Sequence, residues 1–150
     1  MTLDEAGTKL NGVIAELART QVEDNLLTCL DLQAFVKLRL AEGGGRADGS
    51  AFTDYSPIYA KTRAAKGLSI SPKDFNVTGQ LYSSMRPEVK SAQFGEVRID
   101  LTVRGADNQL KVIGQLKRDG NILEPSPAEI QDAIAANLKR RVQRLQNLLR

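Results

Sequence analysis

The chain has no histidine and one cysteine, Cys29. Those two counts decide most of the chemistry open to it. Without imidazole there is no histidine-based triad, no histidine-ligated metal and no haem, since no other side chain is a neutral base near pH 7. One thiol makes neither an internal disulfide nor a cysteine-cluster metal site. The remaining candidates are carboxylates, lysines, tyrosines, serines and Cys29 itself. Cys29 sits between Thr28 and Leu30 in an apolar helical stretch, where a thiol serves as a small buried hydrophobe. Asp54 and Tyr55 form a polar pair of the kind that shapes a loop. Glu96 and Asp100 share a strand face with Arg98 between them, which reads as a solvated face. Gly43-Gly44-Gly45 is followed by no Gly-Lys-Ser/Thr and preceded by a helical pattern, so it is not a phosphate cradle. No paired carboxylates, metal-ligand spacing or nucleophile elbow is present. The expectation is a protein with no catalytic residue, no cofactor and no metal.

Charge is the next handle. The net charge is +3, from 21 basic and 18 acidic residues, which is weak for a protein that grips phosphates. It is unevenly spread. Residues 1–42 hold four basic and seven acidic side chains, residues 43–123 twelve and eight, and residues 124–150 five and three. Lys61, Arg63 and Lys66, followed by Lys73, form the one local basic cluster outside the C-terminus. Only Tyr55 and Tyr59 lie near enough to stack on bases. A solvated helix face is therefore expected ahead of sequence readout. Lining a passage for moving DNA is a third reading, since weak charge would not retard transit. For Lys139, Arg140, Arg141, Arg144 and Arg150 the default is a helix end in water or docked on an acidic neighbouring subunit.

These residues must be held by a single domain, because 150 residues match one ordinary domain. Aromatics make up 5% with no Trp, so the core is built from Leu, Ile, Val and Ala. No signal peptide or apolar run of ~18 residues appears, and a soluble protein made inside the cell is expected. Residues 1–42 read as helix. Thr2 and Glu5 form a capping box, and Leu3, Ala6, Leu10, Val13, Ile14 and Leu17 recur at helical spacing. A polar patch at Thr20 to Asn25 leaves open one long helix or two. Residues 43–77 read as a flexible loop in which 43–50 lacks any side chain able to anchor a core. The loop carries a short helix at Pro57–Lys66, capped by Ser56 and ended by Gly67. Residues 78–123 form a sheet region. It opens with a helical turn after Thr78-Gly79, and its clearest strand is Glu96–Arg104, where Val97, Ile99, Leu101 and Val103 alternate with polar residues. Residues Pro87–Ser91 pair with that strand across a turn near Gln93 to Gly95, and Gln109–Lys117 is read as helix. Residues 124–150 form a C-terminal helix. Ser126 caps it, Pro127 starts it, Glu129 completes the box, and Ile130, Ile134, Leu138, Val142, Leu145 and Leu149 mark one face. The fold class is α+β: long N- and C-terminal helices packed on a small antiparallel sheet, with a long loop carrying a short helix.

This order of elements, with Thr78-Gly79-Gln80-Leu81-Tyr82-Ser83-Ser84 ahead of the hairpin, resembles the tail-completion, or head–tail connector, proteins of long-tailed double-stranded-DNA bacteriophages. Thr78, Gly79, Leu81 and Ser84 match their pattern of Thr-Gly, an apolar residue and a following Ser. Tyr55-Ser56-Pro57-Ile58-Tyr59-Ala60 with Lys66-Gly67 is similar to a loop that one branch carries before that motif. Asn121-Ile122-Leu123-Glu124-Pro125-Ser126 is similar to the segment before their last helix. The resemblance implies a structural virion protein of the neck, assembled in the host cytoplasm as a homo-oligomeric ring, with a hexamer favoured. Its neighbours would be the head connector or adaptor and the tail terminator or tail tube. Genomic DNA would pass through the lumen without sequence readout, and no membrane is involved. Phe52, Ile58, Tyr59, Lys61, Arg63 and Lys66 are then the candidates for an interface or the lumen, with the 43–77 segment ordering against neighbours. A tail terminator or other connector ring, and a small DNA-binding regulatory module, are the alternatives.

Overall fold

A computed structural model describes residues 2–75, 78–93 and 96–149. Helix α1, Leu3–Ala41, is one continuous rod. The Thr2 hydroxyl accepts from the Glu5 amide at 3.2 Å and the Glu5 carboxylate accepts from the Thr2 amide at 2.7 Å, which closes the capping box. The polar patch does not break the helix, because Thr20 and Asp24 are buried against another element. Beyond Glu42 the chain turns sharply through Gly43, at φ 67°. A Cβ there would run into the Pro72 ring, so only glycine allows this close approach.

Helix α2, Pro57–Ala65, is capped by the Ser56 hydroxyl, which accepts from the Tyr59 amide. Helix α3, Gln80–Ser84, is a single turn leading into strand β1, Met85–Gln93. β1 pairs antiparallel with β2, Glu96–Val103, and the register runs from Met85 opposite Val103 to Val89 opposite Ile99. It then shifts so that Ser91 faces Arg98, leaving Lys90 as the extra residue of a bulge. The Arg104 amide donates to the Ser84 carbonyl at 3.0 Å and closes the base of the hairpin. The expected turn at 94–95 and the Val97 side chain fall outside what is described. The sheet described has these two strands, with β1 longer than the expected Pro87–Ser91; the expected helical turn precedes it as α3, and the expected helix follows it as α4, Ala106–Asp119. Helix α5, Pro127–Leu149, begins at the Ser126 box, with Glu129 N to Ser126 Oγ at 3.2 Å and Ser126 N to Glu129 Oε2 at 2.6 Å.

The C-terminal third of α1 packs on the hairpin, and α5 runs back antiparallel along α1, with Glu129 against Arg39 at one end and the Leu149 carbonyl against Lys9 at the other. The core is small. Val36, Leu40, Leu81, Met85, Val103, Ile122 and Leu123 form it, with Phe52, Phe75, Tyr82, Leu101 and Val112 packed on its edge. No helix among the described residues is long and apolar enough to cross a membrane.

Candidate functional site

The loop after α1 is tied down by two carboxylates, one buried and one half-buried. Asp119, at the end of α4, is fully buried. It accepts from Lys73 Nζ at 2.5 Å, from the amide and hydroxyl of Thr53 at 2.8 Å each, and from Arg46 at 3.4 Å. Burial alone would raise its pKa, but the hydrogen bonds from Lys73 and Thr53 hold it below the usual carboxylate value. Arg46 also donates to the Asp119 carbonyl at 2.8 Å and the Ala51 carbonyl at 2.7 Å. The 43–50 stretch therefore does have an anchoring side chain, contrary to the reading of its composition. It anchors through charge, which composition in apolar residues does not register.

Asp74 organises the other end of the loop. Its carboxylate accepts from Arg63 at 2.7 Å and from the Tyr55 hydroxyl at 3.3 Å, and its carbonyl accepts from the Tyr82 hydroxyl. The Arg63 guanidinium lies 4.5 Å from the Tyr55 ring centroid, and Lys73 lies 5.0 Å from that of Phe75, which meets Phe52 edge-on at 4.7 Å. Burial pushes the Tyr55 and Tyr82 phenols up, so both remain neutral donors. This arrangement corrects the basic cluster. Arg63 is 1% exposed and Lys73 is buried, so neither offers its charge to a lumen or to DNA. Lys61 and Lys66 remain on the surface, as does Ile58 at 82% exposure; Tyr59 is also exposed, whereas Phe52 packs on the core.

The Thr78–Ser84 motif has a local structural logic. Gly79 adopts φ 72° before α3, Leu81 enters the core, and the Ser84 hydroxyl donates to the Leu81 carbonyl at 2.8 Å. Thr78 is exposed. The motif also forms one wall of a cavity of about 540 Å³ between the loop and α4, floored by Leu81 and Ile122 and rimmed by Tyr59, Lys111 and Arg118.

The second feature is the inverted amphipathicity of the helices. The seam between α1 and α5 is mainly polar, with the small Ala133 buried in it. Asp24, fully buried, accepts from Arg144 at 2.9 Å and Arg141 at 3.2 Å. Asn137 donates to Thr28 Oγ1 at 2.5 Å, and Arg140 to Asp31 at 2.7 Å. Of the C-terminal basic run, Arg140, Arg141 and Arg144 thus dock on the chain's own N-terminal helix and not on a neighbouring subunit, Lys139 is exposed to water as expected, and Arg150 lies outside the described residues. The stripe Ile130, Ile134, Leu138, Val142 and Leu149 faces outward instead. On α1 the exposed large apolar residues are Leu3, Leu10 and Ile14 near the start and Val22, Leu26, Leu30 and Leu38 farther along. On α4, Leu110, Ile113 and Leu116 are exposed while Asn108, Val112, Gln115 and Asp119 turn inward. Among the described residues, nineteen large hydrophobics are exposed against eleven apolar residues buried. Such a ratio marks a surface meant to be covered.

No group of three or more metal-ligating side chains is gathered among the described residues. Cys29 is buried and burial pushes its thiol pKa up. Sequence reasoning missed Asp24, Asp119 and Arg46; the polar patch at Thr20 to Asn25 was the available signal for the first. Comparison with known proteins finds no matching family model, no similar curated protein and no similar solved structure.

Proposed function

We propose that this chain is a structural subunit that assembles with copies of itself into a ring, as part of the neck joining a phage head connector to its tail. Its role is mechanical, not catalytic: to seal the joint and leave a channel for DNA. The observation that carries the assembly part is the outward apolar face of α5, α4 and the N-terminal half of α1. Two long helices that meet through ion pairs keep their hydrophobic stripes for another surface, whereas a monomer would turn them inward. A stable interface needs ~800 Å² from each partner, and the exposed large apolar side chains, five on α5, three on α4 and seven on α1, offer area of that order. The neck assignment rests on the motif Thr78, Gly79, Leu81 and Ser84, and on the segments at Tyr55–Ala60 and Asn121–Ser126. The retreat of Arg63 and Lys73 into the interior favours passive passage of DNA over its recognition.

The test is sedimentation velocity with negative-stain imaging of the pure protein. Closed rings, with six subunits favoured, are expected. Ile134→Asp with Leu138→Asp, both at exposed positions, is expected to give a folded monomer with unchanged helicity. A wild type that stays monomeric at every concentration, or a double variant that assembles normally, would overturn the proposal.

A further inference from the structure

We infer that the cavity beside the Thr78–Ser84 motif is a socket for the N-terminal end of α1 from a neighbouring copy of this chain, with Leu3 and Asp4 as the inserted residues. The inference rests on the self-assembly proposed above. The cavity, of about 540 Å³, combines three demands. Its floor and walls, including Leu81, Ile122, Phe75 and Tyr59, ask for an apolar side chain. Its rim carries Lys111 and Arg118, about two turns apart on one face of α4, and no carboxylate lines it among the described residues. Lys73 inside has its charge answered by Asp119. Lys111, in contrast, donates to the neutral Asn108 side chain at 3.3 Å, and Arg118 forms no ion pair among the described residues. The third demand is for a hydrogen-bond donor, because Gln115 Oε1 is buried and accepts from nothing.

The start of α1 supplies all three. Leu3 is 92% exposed, and Asp4 follows it. The amides of Leu3 and Asp4 belong to the first helical turn, whose donors have no intrahelical acceptor. The Thr2 and Glu5 amides are already used by the capping box. Residues 1–42 are net acidic and residues 43–123, which build the socket, net basic, so the two surfaces are complementary in charge. The occupant cannot be the chain's own helix. Val36 and Leu40 share a core with Leu81 and Ile122 of the cavity floor, and Leu3 lies more than thirty residues back along a straight rod, about 50 Å away at 1.5 Å per residue. The first turns of α1 also lie beyond the point where Lys9 meets the Leu149 carbonyl, clear of α5. An arm on one copy entering a socket on the next is a head-to-tail contact, the kind that generates rings when the rotation closes.

Two experiments on the full chain decide it. Leu3→Cys combined with Gln80→Cys, both at exposed positions on the arm and the socket wall, is oxidised and run on a non-reducing gel; Cys29 is fully buried and does not interfere. A ladder of covalent oligomers is expected, with each single variant stopping at dimers. Separately, Asp4→Lys is expected to weaken assembly about tenfold or more, as is Lys111→Glu with Arg118→Glu, and mixing the two changes in one chain restores it. Wild-type rings together with no ladder and no effect of Asp4→Lys would overturn the socket and leave self-assembly standing. No self-association at all would overturn both.

Discussion

Replacing Asp24 with alanine is the sharpest test of how the two long helices are held together. The carboxylate is fully buried and takes hydrogen bonds from Arg144 and Arg141 at 2.9 and 3.2 Å. Breaking a buried ion pair by removing one partner costs ~3–5 kcal/mol when the other charge is stranded. Here the stranding is incomplete. The Arg141 and Arg144 side chains are 40% and 25% exposed, and Arg144 also lies 3.7 Å from Glu23, so both can rehydrate. The Asp24 carbonyl, which accepts from Thr28 and Asn137, survives the substitution. The expected loss is therefore about 2–3 kcal/mol. With a urea slope of ~2 kcal/mol/M for a domain of this size, the unfolding midpoint falls by about 1–1.5 M. The measurement is urea unfolding followed by circular dichroism at low protein concentration, where self-association does not contribute. A double-mutant cycle with Arg144→Ala should return a coupling of ~1–2 kcal/mol. A loss below ~0.5 kcal/mol for Asp24→Ala, the level of an ordinary surface change, would refute the view that this seam holds α5 on α1.

Four further outcomes follow from the same contacts. Ser126→Ala should cost ~0.5–2 kcal/mol in urea unfolding, because it leaves the Glu129 amide without its acceptor. Gly79→Ala should cost ~1–2 kcal/mol from conformation alone, since φ is 72° and nothing lies within 4 Å of the added carbon. Asp119 has a folded-state pKa below its ordinary 3.8, so the stability it contributes is complete above about 3.8 and is lost as pH falls through the lower folded value. The stability of Asp119→Asn should accordingly be lower near neutrality and fall less steeply between pH 4 and pH 2 than that of the wild type. Cys29, buried with a raised thiol pKa, should react with a disulfide reagent only as fast as the protein opens, and denaturant should release the reaction.

Local chemistry in the sequence settled where α1, α2 and α5 begin. Thr2 with Glu5, Ser56 with Tyr59, and Ser126 with Glu129 each satisfy amides within four residues, so they act as caps whatever the rest of the chain does. Gly43, Gly67 and Gly79 stand where the backbone takes positive φ, and the alternation through Val103 makes a strand on its own terms. The α+β class follows from those pieces. Which side of each helix turns inward did not follow. Periodicity in Ile130, Ile134 and Leu138 identifies a stripe, but a stripe is equally periodic against a core or a neighbour. Tertiary structure decided it by bringing Asp24 to Arg144, 120 residues away in sequence, and Asp119 to Lys73, 46 away. Arg63 shows the same limit, since its identity as a surface cation or a buried clamp depends on where Asp74 and the Tyr55 ring come to lie. Caps and turns are energies between near neighbours and can be read in order. Ion pairs between distant segments depend on three-dimensional placement, and here they, more than apolar periodicity, choose the faces.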